Sequence, residues 1–100
     1  MKRIKTLALV GALALAPVEA AAKQMQNACM KSDRNPSRST CQCIQNIADQ
    51  RLSKSDQKLA SRFFKDPHLS QEIRQSDRRS YEKFWLRYKA FGEVAGKTCG

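Results

Sequence analysis

Tyr81-Glu82-Lys83-Phe84-Trp85-Leu86-Arg87-Tyr88-Lys89-Ala90-Phe91-Gly92-Glu93-Val94-Ala95 decides the fold class. Tyr81, Phe84, Trp85, Tyr88, Phe91 and Ala95 recur at steps of three and four, the period of one helix face, over about four turns. No stretch of the chain alternates apolar and polar residues as a half-buried strand would. An aromatic stripe at this spacing reads as the core-facing side of a long final helix. Gly92 and Gly96 are expected to weaken that helix's end.

Working toward the N-terminus, helix signals punctuate the chain. Gln75-Ser76-Asp77 suggests a break, and before it Asp66-Pro67 marks a restart, with Asp able to cap free N–H groups and Pro suited to the first helical position. The short helix that follows presents Leu69 and Ile73. Ser53-x-x-Asp56 resembles a capping box and opens a helix with Leu59, Ala60, Phe63 and Phe64 on its apolar side. Thr40 is the expected N-cap of a helix over 41–52, where Ile44, Ile47, Ala48 and Leu52 share a face. Residues 21–40 read as a flexible N-terminal segment with a short helix over 23–31 and a loop through Ser32-Asp33-Arg34-Asn35-Pro36-Ser37-Arg38-Ser39. The expected architecture is all-α: a small disulfide-stapled bundle of three to four short helices over residues 41–100.

The first twenty residues read as an address rather than as structure. Lys2, Arg3 and Lys5 precede an apolar run from Leu7 to Ala16, then Pro17 and small residues, the pattern of a secretory signal peptide cut after Ala20, with Ala22 as the alternative point. The run is shorter than the roughly 20 residues needed to cross a bilayer. No other apolar run of that kind follows, so the exported chain is expected in the periplasm or outside the cell. A lipid-modified Cys29 does not fit, because Gln26-Asn27-Ala28 lacks the apolar residues such a site requires.

The whole chain has 100 residues, 19 Lys+Arg and 9 Asp+Glu, a formal charge of +10. Residues 1–20 hold three of those basic groups and one acidic one, leaving 16 against 8, or +8, so the basicity belongs to the exported part. This length excludes multidomain enzymes and polytopic membrane proteins, and 41% hydrophobic residues argue against disorder throughout.

Four cysteines, Cys29, Cys41, Cys43 and Cys99, fall in the exported part. About 80 residues bury too little surface for a core alone to secure the fold, so two disulfides are expected. Three pairings are open. Cys41 lies within about 45° of the mean apolar direction of its helix and Cys43 more than about 100° from it, which favours Cys41–Cys99 with Cys29–Cys43. The alternative use of Cys41-Gln42-Cys43 is a thiol-based redox or metal site, with Met25, Met30 and His68 as further donors and copper as the metal to test.

Basic residues recur along every helix. Arg74, Arg78, Arg79 and Arg87 are the expected contacts for an anionic membrane surface or an acidic protein. Nucleic acid does not suit an exported chain lacking a zinc finger, a helix-turn-helix or a stacking platform. His68, in a helix's first turn, reads as a surface or capping residue, and no nucleophile elbow, phosphate loop or H-E-x-x-H is present. No catalytic residue, resident metal or cofactor is therefore expected, and the function read here is non-enzymatic binding or structure.

The pattern Cys41-x-Cys43, Ala48-Asp49-Gln50-x-Leu52-Ser53-x-x-Asp56-Gln57, Phe63-Phe64-x-Asp66-Pro67, Arg74-x-Ser76-Asp77, Phe84-Trp85-x-Arg87-Tyr88-x-x-Phe91 and Cys99 resembles a group of small bacterial exported proteins, some of which carry the name arginine transporter. The resemblance covers about residues 41–99. It implies export and a helical cysteine-bridged domain and, through that name, a soluble accessory of an amino-acid (arginine) transport system.

Overall fold

The computed structural model describes residues 22–100; the expected signal peptide lies outside the described residues. Five helices follow one another: α1 (Gln24–Met30), α2 (Arg38–Arg51), α3 (Lys54–Lys65), α4 (Pro67–Gln75) and α5 (Arg79–Cys99). No strand occurs among the described residues. The chain is an all-α bundle stapled by two disulfides.

Local chemistry sets most of the helix ends. Ser37, not Thr40, is the N-cap of α2, its hydroxyl accepting from the Thr40 backbone N–H at 3.1 Å. Ser53 caps α3 as expected, accepting from the Asp56 N–H at 3.1 Å. The second half of that capping box is absent, because the Asp56 carboxylate is engaged across the bundle by Arg87. Pro67 occupies the first turn of α4, while Asp66 makes no side-chain cap bond. The helix α5 runs on through Gly92 and Gly96 to Cys99, which is anchored to α2 by a disulfide.

The core joins all five helices. Met25, Ile47, Ala48, Leu52, Ala60, Phe63, Ile73, Phe84, Phe91 and Ala95 form one buried cluster. The α5 stripe is its spine, with Phe84, Phe91 and Ala95 buried and Tyr81, Trp85 and Tyr88 half-buried. Phe63 of α3 meets Phe84 and Tyr88 edge-on, with ring centroids 6.1 and 5.1 Å apart. The largest side chain of the stripe, Trp85, lies at its margin rather than at its centre.

Two expectations are corrected. The segment before residue 41 does not trail as a flexible lead: within it α1 packs on both α2 and α3, with Met25 and Cys29 each only 1% exposed. A seven-residue helix is too short to persist in water alone, so tertiary contacts hold it. The cysteine pairing is the other one, Cys29–Cys41 and Cys43–Cys99, with Cα atoms 5.6 Å apart in each. The reason is geometric: Cys41 and Cys43 stand about 200° apart around their helix, and α2 has two neighbours, not one core direction. Cys41 faces α1, and Cys43 faces the end of α5. On the chain-entropy estimate the two closed loops contribute about 3 and about 4 kcal/mol.

Candidate anion-binding surface and cleft

Basic side chains cover the molecule, and every Lys and Arg among the described residues is exposed. Among those residues the only Lys or Arg ion pair with a carboxylate is Arg87–Asp56. Asp56 is buried, and Arg87 grips both carboxylate oxygens, Nε at 2.6 Å and a terminal nitrogen at 3.0 Å. Hydrogen bonding to Asp56 raises the pKa of Arg87 above its already high value. Arg87 thus braces α3 to α5 and is not a free surface charge as expected.

The other expected contacts gather around the α4–α5 connection. Arg74 lies in the last turn of α4 and donates to Gln71 at 3.1 Å. Arg78 precedes α5, its guanidinium 4.6 Å from the centroid of the Tyr81 ring, and Arg79 opens that helix. His68 is exposed on α4 with Glu72 at 3.6 Å, one turn on. The pair of thiolates that a copper or redox site would need at Cys41 and Cys43 is absent, since each sulfur is bonded to a different cysteine. Among the described residues no cluster of three His, Cys, Asp or Glu side chains is placed to hold a metal.

A more orderly basic feature lies on α3. Lys54, Lys58, Arg62 and Lys65 follow at steps of four, four and three, all exposed and without an ion-pair partner among the described residues. They fall within an arc of about 80° on the side of α3 turned away from its buried Asp56, Gln57, Ala60 and Phe63. Like charges at such spacings cost an isolated helix about 0.2–0.5 kcal/mol per pair, and Lys54 stands at the positive end of the helix dipole. Arg62 and Lys65, in the last turn, complement the negative end. The spacing is present in the sequence, but that none of the four pairs with a described carboxylate is a tertiary fact.

The stripe ends at a cleft of about 660 Å³ between the C-terminal half of α3 on one side and α1 with the turn that follows it on the other, Asn27 among its lining residues. That turn is shaped by Asn35, whose φ of 52° lies in the left-handed region that Asn tolerates, and by Ser32, whose hydroxyl donates to the Cys29 carbonyl at 2.8 Å. Lys31 joins Arg62 and Lys65 in lining it, together with Asp33, Asp66 and Phe64. A second recess of about 300 Å³ shares Ser32, Asp33 and Phe64 and is further lined by Arg34, Phe63, Pro67, Ser70 and Tyr88. Burial of Tyr88 pushes its phenol pKa above the ordinary value. No described residue hydrogen-bonds its hydroxyl. Nothing in the sequence announces that Lys31, 31 residues before Arg62, lines the same cleft.

A buried polar brace also escaped the sequence reading. Gln45 and Gln57 are each 4% exposed. The Gln45 amide donates to Gln57 and Asp49, both at 2.8 Å, while its oxygen accepts from the Gln26 backbone N–H at 2.8 Å. The Gln57 amide donates to the Leu52 carbonyl and to Asp49, both at 3.2 Å. Asp49, Asp56, Gln57 and Arg87 all belong to the quoted resemblance pattern, and all four hold helices together here.

Comparison with protein-family models, curated proteins and solved structures finds no match to this chain. Among the described residues no helix is long and apolar enough to cross a membrane. The functional reading therefore rests on the chain's own residues.

Proposed function

We propose that this chain is exported and acts without catalysis as a binding protein, a disulfide-stapled helical scaffold that holds a basic face against an anionic membrane surface. The observation that carries this reading is the α3 stripe: four exposed cations on one helix face with no carboxylate partner among the described residues. Over eleven residue steps it spans about 16 Å, and it incurs a like-charge cost that a layer of anionic headgroups would relieve. Two disulfides and a consensus-like signal sequence support a periplasmic or secreted location, where disulfides persist.

Co-sedimentation with phosphatidylglycerol-containing vesicles tests the reading, with phosphatidylcholine vesicles as control. Binding is expected only to the anionic vesicles and should weaken steeply from 0.01 to 0.15 M salt, as the Debye length falls from about 30 to about 8 Å. Reversing Lys54 and Lys58 to Glu should weaken it at least roughly tenfold, at about 1 kcal/mol per basic residue near such a surface. Neutralising Arg78 and Arg79 should cost less, since Arg78 is stacked on Tyr81. Absence of binding at 0.01 M salt would discard the membrane-surface reading.

A further inference from the structure

We propose that the cleft at the end of the α3 stripe is a binding site for a single-chain anionic amphiphile. Lys31, Arg62 and Lys65 hold its acidic head, and its hydrocarbon chain lies over Phe64 toward Phe63 and Tyr88. This rests on the anionic-partner reading and adds a hydrocarbon chain to that partner.

Three features make the site. Its two chambers, about 660 and about 300 Å³, fall in the size range of small-molecule pockets, and Ser32, Asp33 and Phe64 line both, so one elongated ligand can occupy them together. Their chemistry differs end to end. The larger chamber carries three cations and two carboxylates, Asp33 and Asp66, an excess of one positive charge that a monoanion balances. The smaller sets Phe63, Phe64, Pro67 and Tyr88 beside polar Ser32, Asp33, Arg34 and Ser70, so its apolar side chains can take a hydrocarbon chain while Arg34 adds a fourth cation to the combined site. Finally, the three cations come from two elements, Lys31 from the end of α1 and Arg62 and Lys65 from the last turn of α3. Each of these cations stands at a helix C-terminus, Lys31 at that of α1 and Arg62 and Lys65 at that of α3, where a cation is favoured, and the cleft brings the two ends together.

The probe is cis-parinaric acid, a fluorescent long-chain carboxylate, titrated into the exported protein below its micelle concentration. Saturable one-to-one binding is expected. Lys31→Gln with Arg62→Gln should weaken it at least tenfold, and Asn27→Trp, which places a ring in the larger chamber from an exposed position, should abolish it. Circular dichroism reports whether each variant keeps its helices; should Asn27→Trp not fold, the exposed Lys31 and Arg62 pair decides. Lys54→Glu with Lys58→Glu should leave parinarate affinity within twofold while weakening vesicle binding at least tenfold, which separates the cleft from the stripe. Displacement by oleate or by lysophosphatidylglycerol supports the site and tells whether a free fatty acid or a lipid headgroup is its source. Displacement by neither, no saturable binding, equal affinity for the long-chain alcohol, or binding unchanged in the variants would overturn the proposal. Vesicle binding without parinarate binding would overturn it while leaving the membrane-surface reading in place.

Discussion

Where α1, α2 and α3 meet, a pair of buried amides joins the apolar contacts; where α3 meets α5, aromatic rings pack beside the Arg87–Asp56 pair. Gln45 and Gln57 face each other at 2.8 Å in the first seam. Phe63, Phe84 and Tyr88 lie within about 6 Å of one another in the second, Phe84 and Tyr88 stacked at 5.7 Å and Phe63 edge-on to both. The aromatic seam supplies area, since such rings bury the most apolar surface per residue. The amide seam supplies direction: buried amides tolerate one arrangement in which every donor and acceptor is met, and no buried side-chain nitrogen or oxygen among the described residues lacks a partner. A helix as short as α1 has little area to offer, so its seat is specified by hydrogen bonds and by the Cys29–Cys41 bond.

The largest effect should fall on the aromatic side. Phe84 is 2% exposed, and Phe84→Ala is expected to cost about 3–5 kcal/mol in urea unfolding, by lost transfer energy and the cavity left behind. Trp85→Ala, at the half-buried margin of the same stripe, should cost about 2 kcal/mol despite the bigger side chain. If Trp85→Ala costs as much as Phe84→Ala, burial is not what ranks this seam.

On the polar side, Gln57→Leu should cost about 1–3 kcal/mol, because it strands the Leu52 carbonyl and the Gln45 amide in a dry setting. The double variant Gln45→Leu, Gln57→Leu should cost less than the two single changes summed, since apolar groups replace both partners. Strict additivity in the cycle would mean the two amides are not coupled and the contrast between the seams is one of composition only.

The smallest effect sharpens the comparison through pH. Burial raises the Tyr88 pKa above about 10, so between the unfolded and folded values the unfolded chain has lost a proton that the native state keeps. Stability from this group is therefore full below the unfolded value and declines as pH rises through it toward the folded one. Tyr88→Phe should lessen the decline in melting temperature above pH 10 while leaving the neutral-pH value little changed. An identical alkaline slope in parent and variant would show that Tyr88 ionises as easily in the fold as outside it.

Much of the fold was legible because it is written locally. The 3.6 period of Tyr81 to Ala95, Ser53 before α3 and Pro67 at the start of α4 each act within one or two turns of chain. The candidate site was less legible. The Lys54, Lys58, Arg62, Lys65 spacing is local, but Arg87 reads as one more surface arginine until Asp56, 31 residues earlier, is placed under it. Periodicity also assigns one inward direction per helix, which is why Cys41 rather than Cys43 looked like the partner of Cys99.

What the sequence by itself determined is the helical class, the order of the last four helices, the buried stripe of α5, the basic character and the presence of cysteines suited to bridging. The tertiary structure alone decided the seating of α1, the two disulfide partnerships, the amide brace and the meeting of Lys31 with Arg62 and Lys65. The division has a physical reason. Helix formation and capping depend on neighbours three or four residues apart, whereas a helix with two packing partners buries two faces, and which face meets which partner depends on contacts across dozens of residues that no local period encodes.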